Sequence, residues 1–396
     1  MRLIHTSDWH LGRHLKGKDR TPEIEFTLNE LLRQAKELEV DAVLIAGDIF
    51  ETPNPPSDAE RVAYQFFEGL RNAKIPAIAI AGNHDSASRF DGIANLLSLA
   101  GVQILGKPRR VNQGGLIALE TPNGKLRVAA MPFASERRLL TVENLWTMDE
   151  LQQIQHYRDR VDYLLKNLAS GFQDDSVNIL MAHLTIDGAK LANSEARHHT
   201  KETYALFGQN LPAEAQYIAL GHIHKPQQIL VAAPTYYSGS LIQVDFGEAE
   251  EEKGFYLIDV EVGSPAKKPE FISIPCQKPL KIVECELSDY EEKLEPQRDH
   301  PGYLKVIINL QTPQIGLADK IRKICGDKVL QIEPRYPEIE SKREKSVKSV
   351  KQEDFDPVEE FKRYFQEELN TTPAPAVVAK FEELYKEIKE TQNATT

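Results

Sequence analysis

The residues best suited to chemistry are aspartates, histidines and one asparagine that stand just after short apolar runs. Leu3-Ile4-His5-Thr6-Ser7 is followed by Asp8-Trp9-His10, and Val43-Leu44-Ile45-Ala46 by Gly47-Asp48. Residues 75–80 lead into Ala81-Gly82-Asn83-His84-Asp85. Residues 177–182 end on His183, and residues 217–220 on Gly221-His222-Ile223-His224. Carboxylates, imidazoles and amide oxygens are the donors that hold divalent cations. Gly-Asn-His-Asp alone would be weak evidence, because turns use Gly and Asn for backbone reasons. A hydrophobic core has no use for such donors after five separate runs, so the repetition points to a site.

The expected ligand set is Asp8, His10, Asp48, Asn83, His183, His222 and His224. These are too many donors for one four-coordinate zinc. They suit two ions with mixed imidazole and carboxylate ligands, and manganese fits such a set. A carboxylate such as Asp48 can bridge the two. A pair of ions clamps the attacking and leaving oxygens of an in-line displacement at phosphorus. His84 is left over. A histidine side chain is the kind that can give or take a proton near neutral pH, so His84 is expected to protonate the leaving oxygen or to steady the transition state. Asp85 reads as a surface turn aspartate, the alternative being a partner that orients His84.

These residues need elements to carry them. The apolar runs read as buried strands, and in open α/β sheets ligands gather outside the carboxyl ends of the strands. The first run, a helix and the second run form a βαβ crossover. In that helix Thr21 is expected as the cap with Pro22 at the first position, and Ile24, Leu28, Leu31, Ala35 and Leu38 share one face. Ser57 and Glu60 read as a capping box for the next helix. Its apolar residues spread wide, with Val62, Phe66 and Leu70 on one stripe and Tyr64 and Phe67 beyond it. The excess suits a second element or a second copy of the chain. A further helix over 89–100, a hairpin around Pro122-Asn123-Gly124 and a long helix over 149–170 complete this half.

The chain has 396 residues, enough for two or three domains, and a net charge of −12, which argues against a surface coated for nucleic acid. It leaves room for a local basic groove, and bound metal adds positive charge outside this count. Lys16, Lys18 and Arg20 form a basic loop that either meets phosphates or is simply solvated. Arg197, His198 and His199 read as loop or substrate-facing residues, because adjacent histidines diverge. Cys276, Cys285 and Cys325 form no metal-type pair and fit a reduced cytoplasm. The N-terminus enters a strand at once, with no signal-peptide pattern, and no run approaches membrane-spanning length. Residues 270–340 read as a smaller α+β domain, 341–353 as a charged linker, and 354–390 as two amphipathic helices. Asp356, Pro357 and Glu359 cap the first, with Val358, Phe361 and Phe365 as its stripe. The second carries Val377, Phe381, Leu384 and Ile388, and the pair suits either a groove or helical partner or the chain's own surface.

Asp8-x-His10, Gly47-Asp48, Gly82-Asn83-His84-Asp85, His183 and Gly221-His222-x-His224, in that order, resemble the calcineurin-like metallophosphoesterases. The resemblance implies an α/β fold, a β-sandwich flanked by helices over 1–265. It implies one metal on Asp8, His10, Asp48 and His224, a second on Asp48, Asn83, His183 and His222, and a catalytic His84. Gly47-Asp48 runs into Ile49-Phe50-Glu51, which departs from the protein-phosphatase branch. His5 to Arg13, residues 218–224 and Tyr237-Ser238-Gly239-Ser240 instead resemble bacterial DNA-repair nucleases. Those imply a manganese-dependent exonuclease and endonuclease for double-stranded DNA. They also imply a capping domain, a homodimer through residues 58–71 and 89–100, and terminal helices that bind the coiled coil of an ATPase. Two other readings compete: a small-substrate phosphodiesterase with the same metals, and a non-catalytic scaffold for DNA ends.

Overall fold

The computed structural model describes residues 1–135, 150–192, 205–336, 356–367, 372–375, 377–382 and 384–385. Arg197, His198, His199, Ile388 and the charged linker lie outside them, as does the side chain of Phe365.

Two six-stranded sheets form the larger of two compact units, which comprises Met1–Ile307 and Gly316–Glu333. The first contains β1 (Arg2–Thr6), β4 (Ala42–Ile45), β5 (Ala77–Ile80) and β6 (Val102–Leu105), all parallel. Beside β1 run β13 (Gly254–Asp259) and β14 (Glu270–Ser273), each antiparallel to its neighbour. The second sheet has parallel β8 (Gly124–Met131), β9 (Ser176–His183), β10 (Tyr217–Gly221) and β12 (Thr235–Tyr237). Its edges are β7 (Leu116–Thr121) and β11 (Gln227–Ile229), both antiparallel. A short hairpin, β2 (His14–Leu15) with β3 (Lys18–Asp19), stands apart.

Successive side chains of a strand face opposite ways, and the sequence uses both sides. Leu3, Leu44, Ile78, Ile80, Val128, Ile179 and Met181 pack in the core that the sheets share. Ile4, Val43 and Ile45 face outward onto helices α1 (Thr21–Glu37), α2 (Ser57–Asn72) and α3 (Ala87–Ser98). Helix α4 (Glu150–Ala169) covers the other sheet through Tyr157, Val161, Leu165 and Leu168. The wide stripe of α2 is explained within the chain for Val62, Phe66, Phe67 and Leu70, which are all buried, while Tyr64 is half-buried.

Two expected caps are absent. Thr21 is the first helical residue of α1, and its N–H donates to the Asp19 carboxylate at 2.9 Å. Pro56 precedes α2 with no side-chain cap, so Ser57 and Glu60 make no capping box. Glu60 instead pairs with Arg89 of α3. Arg20 is also corrected. It is fully buried, its guanidinium held by Glu23 at 2.6 and 2.7 Å and by the Gln243 carbonyl at 3.1 Å. It cannot meet phosphates as Lys16 and Lys18, both exposed, can.

A three-stranded sheet follows, of β15 (Leu280–Glu286), β16 (Tyr303–Asn309) and β17 (Val329–Arg335), with α5 (Tyr290–Leu294) and α6 (Leu317–Cys325). Leu280 packs with Leu15 and Phe246, and Arg20 lies 5.5 Å from the Tyr303 ring. The second compact unit comprises Ile308–Ile315 and Pro334–Thr396. In it α7 (Pro357–Glu367) is capped by Asp356, whose carboxylate accepts from Val358 N at 2.9 Å. The Phe361 ring stacks on Phe381 at 4.2 Å.

Candidate metal centre

The carboxyl ends of both sheets meet at one rim. Asp8 and His10 follow β1, Asp48 follows β4, and Asn83 and His84 follow β5. His183 ends β9, and His222 and His224 follow β10. The chain must turn sharply there. Asp8, His10, Asp48 and His222 all have positive φ, of 52°, 53°, 50° and 98°. Non-glycine residues seldom adopt this region, although Asp and His tolerate it better than most. Such strain collects where geometry serves a site. Gly47 and Gly82 allow the close approach. A Cβ on Gly47 would lie 2.2 Å from His183 Nδ1, and one on Gly82 would lie 2.0 Å from Asp48 Oδ1.

The donor atoms gather in three overlapping groups: Asp8, His10 and His224; His10, Asp48 and His84; and Asp48, His183 and His222. Within each group the ligand atoms lie within 4.8 Å of one another. Asn83 Oδ1 joins the last, 3.0 Å from His183 Nε2 and 2.8 Å from His222 Nδ1. All eight residues expected at the site therefore come together.

The chemistry of these contacts calls for a cation. His10 Nδ1 faces the Glu51 carboxylate at 2.8 Å, and His224 Nδ1 faces that of Glu248 at 2.9 Å. Each Nδ1 is thus the protonated nitrogen. The two Nε2 atoms then face each other, lone pair to lone pair, at 3.1 Å. His183 Nδ1 donates to the Ala46 carbonyl at 2.8 Å, which aims its Nε2 at the Asn83 oxygen, 3.0 Å away, and at Asp48, 3.4 Å away. The facing lone pairs of His10 and His224, and a buried carboxylate that favours a cationic neighbour, suit a site built for positive charge. Burial opposes a charge on His183, but the Asp48 carboxylate outweighs it and holds the imidazole up at about 9. His222 is held well below the ordinary range by burial and by neighbouring His183.

Two carboxylates at this site, Glu51 and Glu248, carry no expected role in the sequence, and a third, Asp85, has a different one from that expected. Glu51 takes His10 Nδ1–H on its side chain and His84 Nδ1–H on its main-chain oxygen at 2.8 Å, and it is paired with Arg13 at 2.6 Å. Its place just after Gly47-Asp48 was an available signal. Glu248 lies in the acidic stretch 248–252, yet it is fully buried. Asp85 corrects the expectation of a surface turn residue. It is buried, and it accepts from Gly82, Ile49 and Phe50 N–H at 2.9–3.2 Å, not from His84. Burial, with the Asp48 charge nearby, pushes it up to about 7 against the pull of those N–H groups. Ser7 also has a place: its hydroxyl meets Asp8 and, at 2.7 Å, Ser238 of the Tyr237-Ser238-Gly239-Ser240 stretch.

Residues 1–226 match the family model of the calcineurin-like phosphoesterases. The chain belongs to that family. Residues 276–368 match a second model, described as the type 5 capsule protein repressor C-terminal domain. The chain is 32% identical to the SbcD subunit of the SbcCD nuclease of Bacillus subtilis strain 168, over 98% of its own length and 99% of the relative's. It is 29% identical to the SbcD subunit of Escherichia coli K12, over 76% of this chain and 74% of that one. The counterpart from Staphylococcus epidermidis is also 29% identical, over 74% of each. Within the family, the chain therefore stands in the SbcD branch.

Proposed function

We propose that this chain is the nuclease subunit of an SbcCD-type DNA-repair complex and hydrolyses phosphodiesters of double-stranded DNA, as exonuclease and endonuclease. The observation that carries the reading is the convergence of donors from five strand ends on one rim. Asp8, His10, Asp48 and His224 would hold one divalent ion, and Asp48, Asn83, His183 and His222 a second. The mixed imidazole and carboxylate set suits manganese. When bound, such ions supply Lewis-acid activation of the phosphate and of the attacking water. The chain's own residues do the rest. His84 is oriented by its Nδ1–H to Glu51 O, so its Nε2 exchanges a proton with the leaving oxygen. Glu51 and Glu248 orient His10 and His224.

The partners in this reading are double-stranded DNA, a second copy of the chain, and an SbcC-type ATPase in a two-plus-two assembly. The second copy would dock on a groove between α2 and α3, lined by Tyr64, Phe67, Ile93, Leu96 and Leu99. Leu96 and Leu99 are 67% and 75% exposed, and an apolar patch of this kind favours association. Residues 1–265 would be the nuclease domain, 270–340 the capping domain, 341–353 a linker, and 354–390 the helix pair that binds the ATPase coiled coil. The reading makes the protein cytoplasmic; no described helix is long and apolar enough to cross a membrane.

The test is cleavage of linear duplex DNA with manganese, with and without the ATPase partner, beside a cyclic nucleotide. Manganese-dependent cutting of the duplex that Asp48→Ala abolishes is expected. Unchanged cutting by that variant, or hydrolysis of the cyclic nucleotide alone, overturns the reading.

A further inference from the structure

We propose that Lys253 is a positioning residue for the metal centre, which fixes His224 at both its main-chain and side-chain ends. The inference rests on the metal-binding reading above and goes beyond it to a residue outside the ligand set. Lys253 Nζ donates to the His224 carbonyl at 2.9 Å and to Glu248 at 2.8 Å. The other oxygen of Glu248 takes His224 Nδ1–H at 2.9 Å. One ammonium therefore holds the backbone of His224 directly and its imidazole through one carboxylate. A third bond goes to Glu251 at 2.9 Å.

Burying a lysine is costly unless its charge is matched and its protons are used. Here both conditions hold: Nζ has three oxygen partners, and Lys253 is 1% exposed. The placement in the fold gives this arrangement its purpose. Lys253 immediately precedes β13, which pairs with β1, the strand that delivers Asp8. His224 follows β10 of the opposite sheet. The lysine thus fastens a donor from one sheet to the frame of the other. The remaining histidines are held differently. The Arg13 that pairs with Glu51 beside His10 is a quarter exposed, and His183 leans on a neutral carbonyl.

Without the ammonium, Glu248 would keep the Ser240 hydroxyl and Val244 N–H, each at 3.1 Å, but would lose the buried cation that matches its charge. His224 would then lose its main-chain support, and its imidazole would rest on a carboxylate held less firmly. Replacement of a partner that orients a metal histidine weakens metal binding by roughly 10- to 100-fold. The loss should fall on the ion that His224 binds and spare the one near His183.

The experiment is manganese titration of the full chain, read by calorimetry and by electron paramagnetic resonance, with thermal unfolding recorded for each variant. Lys253→Met and Glu248→Gln should each weaken one of two ions by roughly 10- to 100-fold and leave the other unchanged. Arg20→Met breaks an equally buried ion pair that touches no site residue. It should lower the unfolding temperature and leave both affinities intact. A folded Lys253→Met or Glu248→Gln protein that binds both ions like the parent overturns the proposal. So does an Arg20→Met protein that loses affinity equally. If Lys253→Met fails to fold, Glu248→Gln decides. A parent that takes up no manganese refutes the metal reading itself, so the two failures are distinct.

Discussion

His5 should make the fold sensitive to acid in a predictable window. Its imidazole is fully buried between the sheets, with Nε2 donating to the Leu220 carbonyl at 3.1 Å and Nδ1 accepting from the Tyr217 hydroxyl at 3.0 Å. Burial drives it down to about 3, although the bond to Leu220 pulls the other way. In the unfolded chain the imidazole titrates near 6.5. Between these values the unfolded chain binds the extra proton and the folded one does not. The contribution of neutral His5 is therefore complete above about pH 6.5 and is lost as pH falls toward about 3. Each pH step of one below the unfolded value costs about 1.4 kcal/mol, so at pH 5 the loss is about 2 kcal/mol. His5→Gln offers a donor and an acceptor of similar placement and does not titrate. The assay is urea unfolding of both proteins at pH 8 and pH 5, with metal chelated. Other titrating groups act equally in the two proteins and cancel in the double difference. The parent should lose about 2 kcal/mol more than the variant over this interval. Equal losses would refute the claim that His5 is buried, neutral and hydrogen-bonded between the sheets.

Further expectations follow from single contacts. His84→Gln should still bind manganese with parental stoichiometry, measured by calorimetry, while duplex cutting falls by roughly 10²–10⁴-fold. Asp85→Asn replaces one of the two oxygens that accept from three backbone N–H groups with an NH2 donor, and should lower stability in urea by about 1–3 kcal/mol. Leu96→Glu with Leu99→Glu should leave the unfolding temperature near the parent's, because both side chains are exposed. The pair should convert a dimer to a monomer in light scattering, and a parent that is already monomeric would end the dimer proposal.

The central strands were legible because they are buried on both faces. Residues 43–46, 77–80 and 217–220 are apolar without interruption, as strands covered by a second sheet and by helices must be. The edge strands Gln227–Ile229 and Glu270–Ser273 are short and partly polar, so no pattern announced them. The helices were legible by period, and the starts of α1 and α2 to within a residue, but the caps of those two were not. Asp19 and Arg89 reach those starts from outside the local capping pattern. The donors stood out because each follows an apolar run. The residues that orient them did not, since Glu248 and Asp85 become buried only when distant segments close over them.

The same asymmetry explains how the rim can be so well defined. Asp8, Asp48, Asn83 and His84 come from one sheet, and His183, His222 and His224 from the other. The apolar core between the sheets resists separation, but hydrophobic attraction has no direction and does not by itself set how one sheet slides over the other. Directional bonds just below the rim do. His5 reaches Leu220 O, His183 reaches Ala46 O, and His222 N–H reaches Asp8 at 3.1 Å. Phe133 N–H reaches Ala81 O at 2.9 Å, and Ser7 meets Ser238. Each joins a strand end of one sheet to a strand end of the other, and each is buried or partly buried, where an unmade bond costs most. The donors are thus set in register by polar contacts of the protein itself. A divalent ion would arrive at a rim already shaped for it, and its binding energy would not have to close the sandwich.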